Sequence, residues 1–100
     1  DATVNDNVVV RDNAEVYDQA TIRDFAIIAD DAKVYGEAEV HDHAIICCNA
    51  EVFDDAEILD VANVAWRATI HDQAIIGGAT RIHNIDIGAN SIVLGNHAHF

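Results

Sequence analysis

The feature that most constrains this chain is a valine or isoleucine that recurs every six residues, fourteen times in succession. Two residues before it stands an alanine, except at Val8 and Thr80, and two residues after it usually stands an aspartate. The aliphatic column comprises Val4, Val10, Val16, Ile22, Ile28, Val34, Val40, Ile46, Val52, Ile58, Val64, Ile70, Ile76 and Ile82. A repeat this strict predicts a stacked solenoid.

The period of six excludes an amphipathic helix, because six residues at about 100° each do not return a side chain to the same face. A small residue, any residue and a β-branched residue instead make a short strand with alternate side chains on one side. Asp, Gly and Asn tolerate a left-handed backbone, so their column predicts a corner. Three such corners close a triangular coil of eighteen residues.

Columns read at intervals of eighteen support this period. Tyr17, Tyr35, Phe53 and His71 form an aromatic ladder. Glu15, Lys33 and Glu51 alternate in charge, as side chains stacked about 4.8 Å apart should.

The pattern resembles the hexapeptide-repeat proteins from Asp1 to about Leu94, and its Ala and Asp columns are similar to a bacterial branch of that family, the YdcK-like proteins. The family's usual glycine directly after the aliphatic residue occurs here at Gly88, after a one-residue drop in register between Ile82 and Ile87. We predict an all-β, single-stranded parallel β-helix of about five coils of 18 residues. Its left-handedness is implied by the resemblance alone.

We predict one domain over residues 1–100. Residues 1–85 form the regular repeat, residues 86–95 contain the register shift and the last rungs, and residues 96–100 form a tail. Solenoids need caps on their end coils, and none is evident here. We therefore expect a part of a longer protein or end-to-end assembly.

The net charge of −13 disfavours nucleic acid and anionic membranes as partners. No apolar stretch approaches the ~20 residues that span a bilayer. Two adjacent cysteines do not make a disulfide framework, which suggests a cytoplasmic protein.

One face is apolar on its outer side, whereas a second carries polar residues and the third carries acids and the aromatic ladder. Exposed apolar patches of this kind mark contact surfaces. Scattered aliphatic residues chosen for strand propensity are the alternative. The predicted interface, which would make the protein a homo-oligomer, consists of Val9, Ile27, Ala29, Ile45, Cys47 and Ala65.

Of the six histidines, His41, His71 and His83 lie at different corners of the predicted coil and do not converge. Surface histidines are therefore the favoured interpretation. In the acyltransferases of the resembling family, one histidine acts as general base in a cleft of a trimer. The resemblance makes His41, His71 and His83 candidates for that role.

The stacked aspartates could bind calcium, which would relieve their repulsion. We favour the simpler interpretation that each aspartate closes its own turn, and we expect no metal site. The two columns in question are Asp6, Asp24, Asp42 and Asp60, and Asp18, Asp54 and Asp72.

Cys48 and Trp66 are the corner residues that are not Asp, Gly or Asn, and they are vertical neighbours beside Arg67. Neither residue favours a left-handed backbone, so we predict that this corner changes its turn geometry. We expect Trp66 to cover Cys48, and we favour packing over a nucleophilic or metal-binding role for the cysteines.

Two functions follow. The first is a non-catalytic assembly module that uses its apolar face and end coils for self-association or for docking within a larger protein, with no cofactor. The second, implied by the resemblance, is a trimeric acyltransferase that depends on acetyl-CoA or acyl carrier protein.

Overall fold

The computed structural model describes residues 2–4 and 7–99, and residues 95–99 by their backbone alone. Asp6, at the foot of one predicted aspartate column, lies outside the described residues, as does Phe100 of the predicted tail. Every regular element in the described part is a β-strand, so no helix there could cross a membrane. The strands are β1 Thr3–Val4, β2 Val9–Val10, β3 Glu15–Val16, β4 Thr21–Ile22, β5 Ile27–Ile28, β6 Lys33–Val34, β7 Glu39–Val40, β8 Ile45–Ile46, β9 Glu51–Val52, β10 Glu57–Ile58, β11 Asn63–Ala65, β12 Thr69–Ile70, β13 Ile75–His83, β14 Asp86–Ile87 and β15 Ile92–His99.

The strands stack into three parallel faces, each with one strand per turn. Face A contains β1, β4, β7, β10 and the starts of β13 and β15, and face B contains β2, β5, β8, β11 and the ends of β13 and β15. Face C contains β3, β6, β9, β12 and β14. Vertical partners lie 18 residues apart, as in the pairing of Thr3 with Thr21. The predicted all-β parallel β-helix of about five turns is confirmed.

The spacing between vertical partners changes near the end of the chain. Ile70 pairs with Ile87 and Ile75 pairs with Ile92, so the interval there is 17 residues instead of 18. The one-residue drop between Ile82 and Ile87 in the sequence accounts for this shorter interval.

The core consists of the alanine and Val/Ile columns, which point into the centre of the coil. From Ala20 to Ile82, all of these alanines and aliphatic residues are at most 1% exposed. Thr80 replaces an alanine in this column, and its buried hydroxyl donates a hydrogen bond to the Gly77 carbonyl, 2.7 Å away. A small residue alternating with a branched one suits the narrow interior of the coil, where side chains must pack closely.

The corner column has a left-handed backbone in every described turn, with φ between 55° and 68°. Cys48 has φ 63° and Trp66 has φ 59°, within the range of the other corner residues. The prediction that these two residues change the turn geometry is therefore wrong. Hydrogen bonding to the neighbouring turns fixes the corner, and it offsets the roughly 1–2 kcal/mol that a left-handed residue with a Cβ costs.

The corner aspartates connect successive turns. The Oδ2 atom of Asp60 accepts the backbone N–H of Gly78 at 2.8 Å, and that of Asp72 accepts the N–H of Ala89 at 2.9 Å. Equivalent bonds occur from Asp12, Asp18, Asp24, Asp30, Asp42 and Asp54. Since these bonds run to the turn above, the expectation that each aspartate closes its own turn is not met.

Candidate functional site

His41 lies between two carboxylates on face A. Its Nε2 is 2.8 Å from Glu57 Oε2 in the next turn, and its Nδ1 is 3.3 Å from Asp42 Oδ2. His41 is only 8% exposed, so the expectation of a surface histidine is wrong at this position. Because both ring nitrogens contact carboxylates, the ring holds two turns together.

His71 on face C repeats this arrangement. Its Nδ1 is 3.2 Å from Asp72 Oδ2 and its Nε2 is 2.5 Å from Asp86 Oδ1. The hydrogen bond with Asp86 raises the pKa of His71 above its ordinary value. Gly88 makes room for the ring, since a Cβ at that position would lie 2.4 Å from His71 Cε1.

These contacts follow a spacing that the sequence analysis missed. The side chain after the inward aliphatic residue reaches an acid sixteen residues later, as His41 reaches Glu57 and Tyr35 reaches Glu51. The Tyr35 hydroxyl donates to Glu51 Oε1 at 3.1 Å, and burial together with this bond raises the pKa of Tyr35 to about 12. For His71 the interval is fifteen, because the register has dropped by one.

The aromatic ladder lies at the end of face C. The rings of Tyr17, Tyr35, Phe53 and His71 are stacked, with centroid separations of 4.9, 5.0 and 5.3 Å. A second stack, which was not predicted, joins Phe25 and His43 at 5.1 Å. Both stacks follow from the spacing between turns, which suits offset parallel rings.

His83, the third predicted candidate, is half-buried at the end of β13 on face B. His41, His71 and His83 thus belong to three different faces. The side chains of His97 and His99 lie outside the described residues. Around His41 lie Asp24 and Asp42 of a corner column and Glu39 and Glu57 of face A, and around His71 lie Asp54 and Asp72 of another corner column.

Face B carries the predicted interface. Val9 is 43% exposed, and Ile27, Ile45 and Cys47 are half-buried. Ala29 and Ala65 are only 2% and 5% exposed, so these two residues offer almost no surface to a partner.

The two cysteines meet where face B turns into face C, which we call corner BC. Their Sγ atoms are 3.5 Å apart and both thiols are free. Burial, followed by the bond to Cys48, raises the pKa of the Cys47 thiol to about 12. A carboxylate oxygen of Asp30, one turn below, lies within 4.8 Å of both sulfur atoms.

The other residues of corner BC are exposed to solvent. Trp66 is 56% exposed, so more than half of its surface faces solvent instead of covering Cys48. The Arg67 side chain is exposed, and the Arg67 N–H donates to Asn84 Oδ1 at 3.2 Å.

Comparison of this chain with protein-family models, curated proteins and solved structures finds no match. The parallel β-solenoid is thus what the structure shows, and membership of the hexapeptide-repeat family stays a prediction.

Proposed function

We propose that this chain is a non-catalytic structural module, a rigid β-solenoid that associates laterally with a second copy of itself through face B. One observation carries this proposal: among the side chains that the structure describes, face B is the face whose outward residues include no carboxylate. These side chains are Val9, Arg11, Ile27, Ala29, Ile45, Cys47, Asn63, Ala65, Arg81 and His83.

The other two faces oppose contact between copies. Glu39 and Glu57 point outward on face A, and Glu15, Glu51 and Asp86 point outward on face C. Two like charges 4 Å apart repel by about 1 kcal/mol in water and by more as the contact dries. In a chain of net charge −13, face B is therefore where two copies can approach with the least repulsion.

Apolar contact favours the same face. Val9, Ile27 and Ile45 are vertical neighbours in β2, β5 and β8, so they form one continuous strip across three turns. Burying that strip contributes about 25 cal/mol for each Å² of apolar surface removed from water. Arg11 and Arg81 lie at the two ends of face B, where they can reach the corner aspartates of a second copy.

The size of the face limits the strength of this association. The molecule measures 29 × 22 × 20 Å, so one face offers at most roughly 600 Å² to a partner, below the ~800 Å² that each side of a stable complex usually buries. We therefore expect a reversible dimer that depends on protein concentration.

The acyltransferase alternative has no comparable support. A general base needs a ring nitrogen within hydrogen-bond reach of the substrate proton. Both nitrogens of His41 and of His71 already contact carboxylates. The alternative therefore depends on the resemblance of the repeat, with coenzyme A or acyl carrier protein as the expected donor.

Sedimentation equilibrium over a wide range of protein concentration tests the proposal. The wild-type chain should pass from monomer to dimer, and Ile27→Lys or Ile45→Lys should remain monomeric with an unchanged circular dichroism spectrum. Ile75→Lys, which alters an aliphatic side chain on face A, is the matched control and should dimerise normally. A monomer at every concentration, or a discrete trimer that binds coenzyme A, would contradict the proposal.

A further inference from the structure

The vicinal thiols at corner BC are arranged as a chelate. The separation of 3.5 Å between Cys47 Sγ and Cys48 Sγ is too long for a disulfide bond. It is close to the distance of about 3.8 Å that separates two sulfur atoms bound to one tetrahedral zinc ion with Zn–S bonds of about 2.3 Å. Both sulfur atoms can therefore reach a single ion with little movement.

A third ligand is present one turn below. A carboxylate oxygen of Asp30 lies within 4.8 Å of both sulfur atoms, and Asp30 Oδ2 accepts the Cys48 N–H at 3.3 Å. That bond connects the carboxylate to the backbone of the residue whose thiol would bind. Both cysteines are half-buried and Asp30 is exposed, so an ion can enter from solvent and keep a water ligand.

The fold itself gives no reason for a thiol at position 48. Most residues at the corners of the coil are aspartates, whose carboxylate accepts the backbone N–H of the corner residue one turn above. For position 48 that residue is Trp66. Cysteine supplies no such acceptor, although it adopts the same left-handed backbone, with φ 63°. A residue that breaks a local rule without a structural gain indicates a functional position.

We propose that Cys47, Cys48 and Asp30 bind one thiophilic divalent cation of the zinc and cadmium class. Thiolate ligands select such ions over magnesium and calcium, which prefer oxygen. The net charge of −13 attracts cations to the surface of the protein in general. The two sulfur ligands then supply the selectivity that the carboxylate columns lack.

Binding is accompanied by proton release. Two S–H bonds break, two metal–sulfur bonds form, and two protons pass to the buffer for each ion bound. The groups that face Cys47 are Cys48 and Asp30, which oppose the thiolate, and Arg11, which favours it. Because the thiolate and not the thiol binds the metal, apparent affinity should rise with pH.

Titration of the reduced protein with Cd²⁺ tests the proposal, with proton release, heat and thiolate-to-cadmium ultraviolet absorption as readouts. We expect one ion per chain and two protons per ion. Cys47→Ser or Cys48→Ser should weaken binding by roughly 100-fold or more, and Asp30→Asn by roughly 10-fold. Asp18→Asn, which alters the same kind of corner aspartate elsewhere, is the control and should bind as the wild type does.

The contrary results are equally clear. Binding without thiolate absorption or proton release, or binding that survives in Cys48→Ser, would show adsorption to carboxylates and overturn the proposal. One ion shared by two chains would overturn it too. The Ile27→Lys variant, which should not dimerise, is expected to bind Cd²⁺ normally, so the failure of either proposal is seen separately.

Discussion

His71 Nε2 lies 2.5 Å from Asp86 Oδ1, a carboxylate of the next turn, while Asp72 contacts the opposite ring nitrogen. The imidazolium form of His71 is thus stabilised by two acids, in a protein with few cations of its own. His41 repeats the arrangement with Asp42 and Glu57 on another face. In both places the ring contacts carboxylates of two neighbouring turns, and at His71 its positive charge relieves the repulsion between them.

The first prediction concerns pH. The pKa of His71 is raised in the folded state, so its contribution to stability is complete below its unfolded pKa of about 6.5 and is lost as pH rises through the folded value. We expect the melting temperature to fall by a few degrees between about pH 6 and pH 9, and this fall to be smaller in His71→Gln. Gln73→Ala, which alters an exposed residue that does not ionise, should keep the wild-type slope. Equal slopes in all three proteins would count against the role of His71.

The second prediction concerns Gly88, whose missing side chain leaves room for the His71 ring. Gly88→Ala would place a Cβ 2.4 Å from His71 Cε1, so the ring must move away from Asp86. We expect the pKa of His71 to return toward its ordinary value, which an NMR titration of the ring protons measures. Asn90→Ala changes an exposed residue at the same corner and should leave the titration unaltered. An unchanged titration in Gly88→Ala would refute this account of the contact.

The third prediction concerns the corner carboxylates. Asp60 Oδ2 accepts the N–H of Gly78 at 2.8 Å, the shortest of these bonds between turns. Asp60→Ala removes the acceptor and retains a Cβ at φ 58°, so we expect a loss of about 1–2 kcal/mol in the free energy of unfolding. Asp60→Asn keeps an acceptor oxygen and tolerates this backbone, so it should lose much less. Urea denaturation measures both variants, and equal losses would show that the side-chain bond contributes nothing.

The fold was predictable from the sequence because each column has one physical requirement. The core admits only small and β-branched residues, and Asp, Gly and Asn fill most of the corner positions. The aromatic ladder from Tyr17 to His71 was predictable for the same reason, since it depends only on the interval of eighteen residues.

The details that sequence reasoning missed depend on side-chain reach between turns. Propensity alone suggested that Cys48 and Trp66 would distort the corner, yet the neighbouring turns impose the common conformation on both. The contact of His41 with Glu57 needs the interval of sixteen residues, which an interval of eighteen does not reveal. The proximity of Asp30 to the two thiols was not predicted for a similar reason, because packing sets the direction of each side chain at a corner.

The fourth prediction separates inward from outward positions. Ile46 is fully buried, so Ile46→Asp places an unpaired carboxylate in the core. The penalty is a large share of the ~5–15 kcal/mol that stabilises a domain of this size, and we expect no folded protein by circular dichroism. Ile45→Asp, one residue earlier and pointing outward, should fold. A cooperative melt of Ile46→Asp at the wild-type temperature would refute the assignment of the core column.

The fifth prediction is that an aspartate in place of Cys48 at corner BC raises stability and abolishes ion binding. Cys48→Asp places a carboxylate where it can accept the Trp66 N–H, as Asp60 accepts the N–H of Gly78, so we expect about 1 kcal/mol of added stability in metal-free protein. The melting temperature should rise by roughly 4–8 °C, and Cd²⁺ should no longer raise it further. Cys48→Ala also removes the thiol but adds no acceptor, so it should lose the response to Cd²⁺ without the gain in stability. If Cys48→Asp melts no higher than Cys48→Ala, a carboxylate at this corner does not stabilise the turn. Cys48 would then cost the fold no stabilising hydrogen bond, contrary to this prediction.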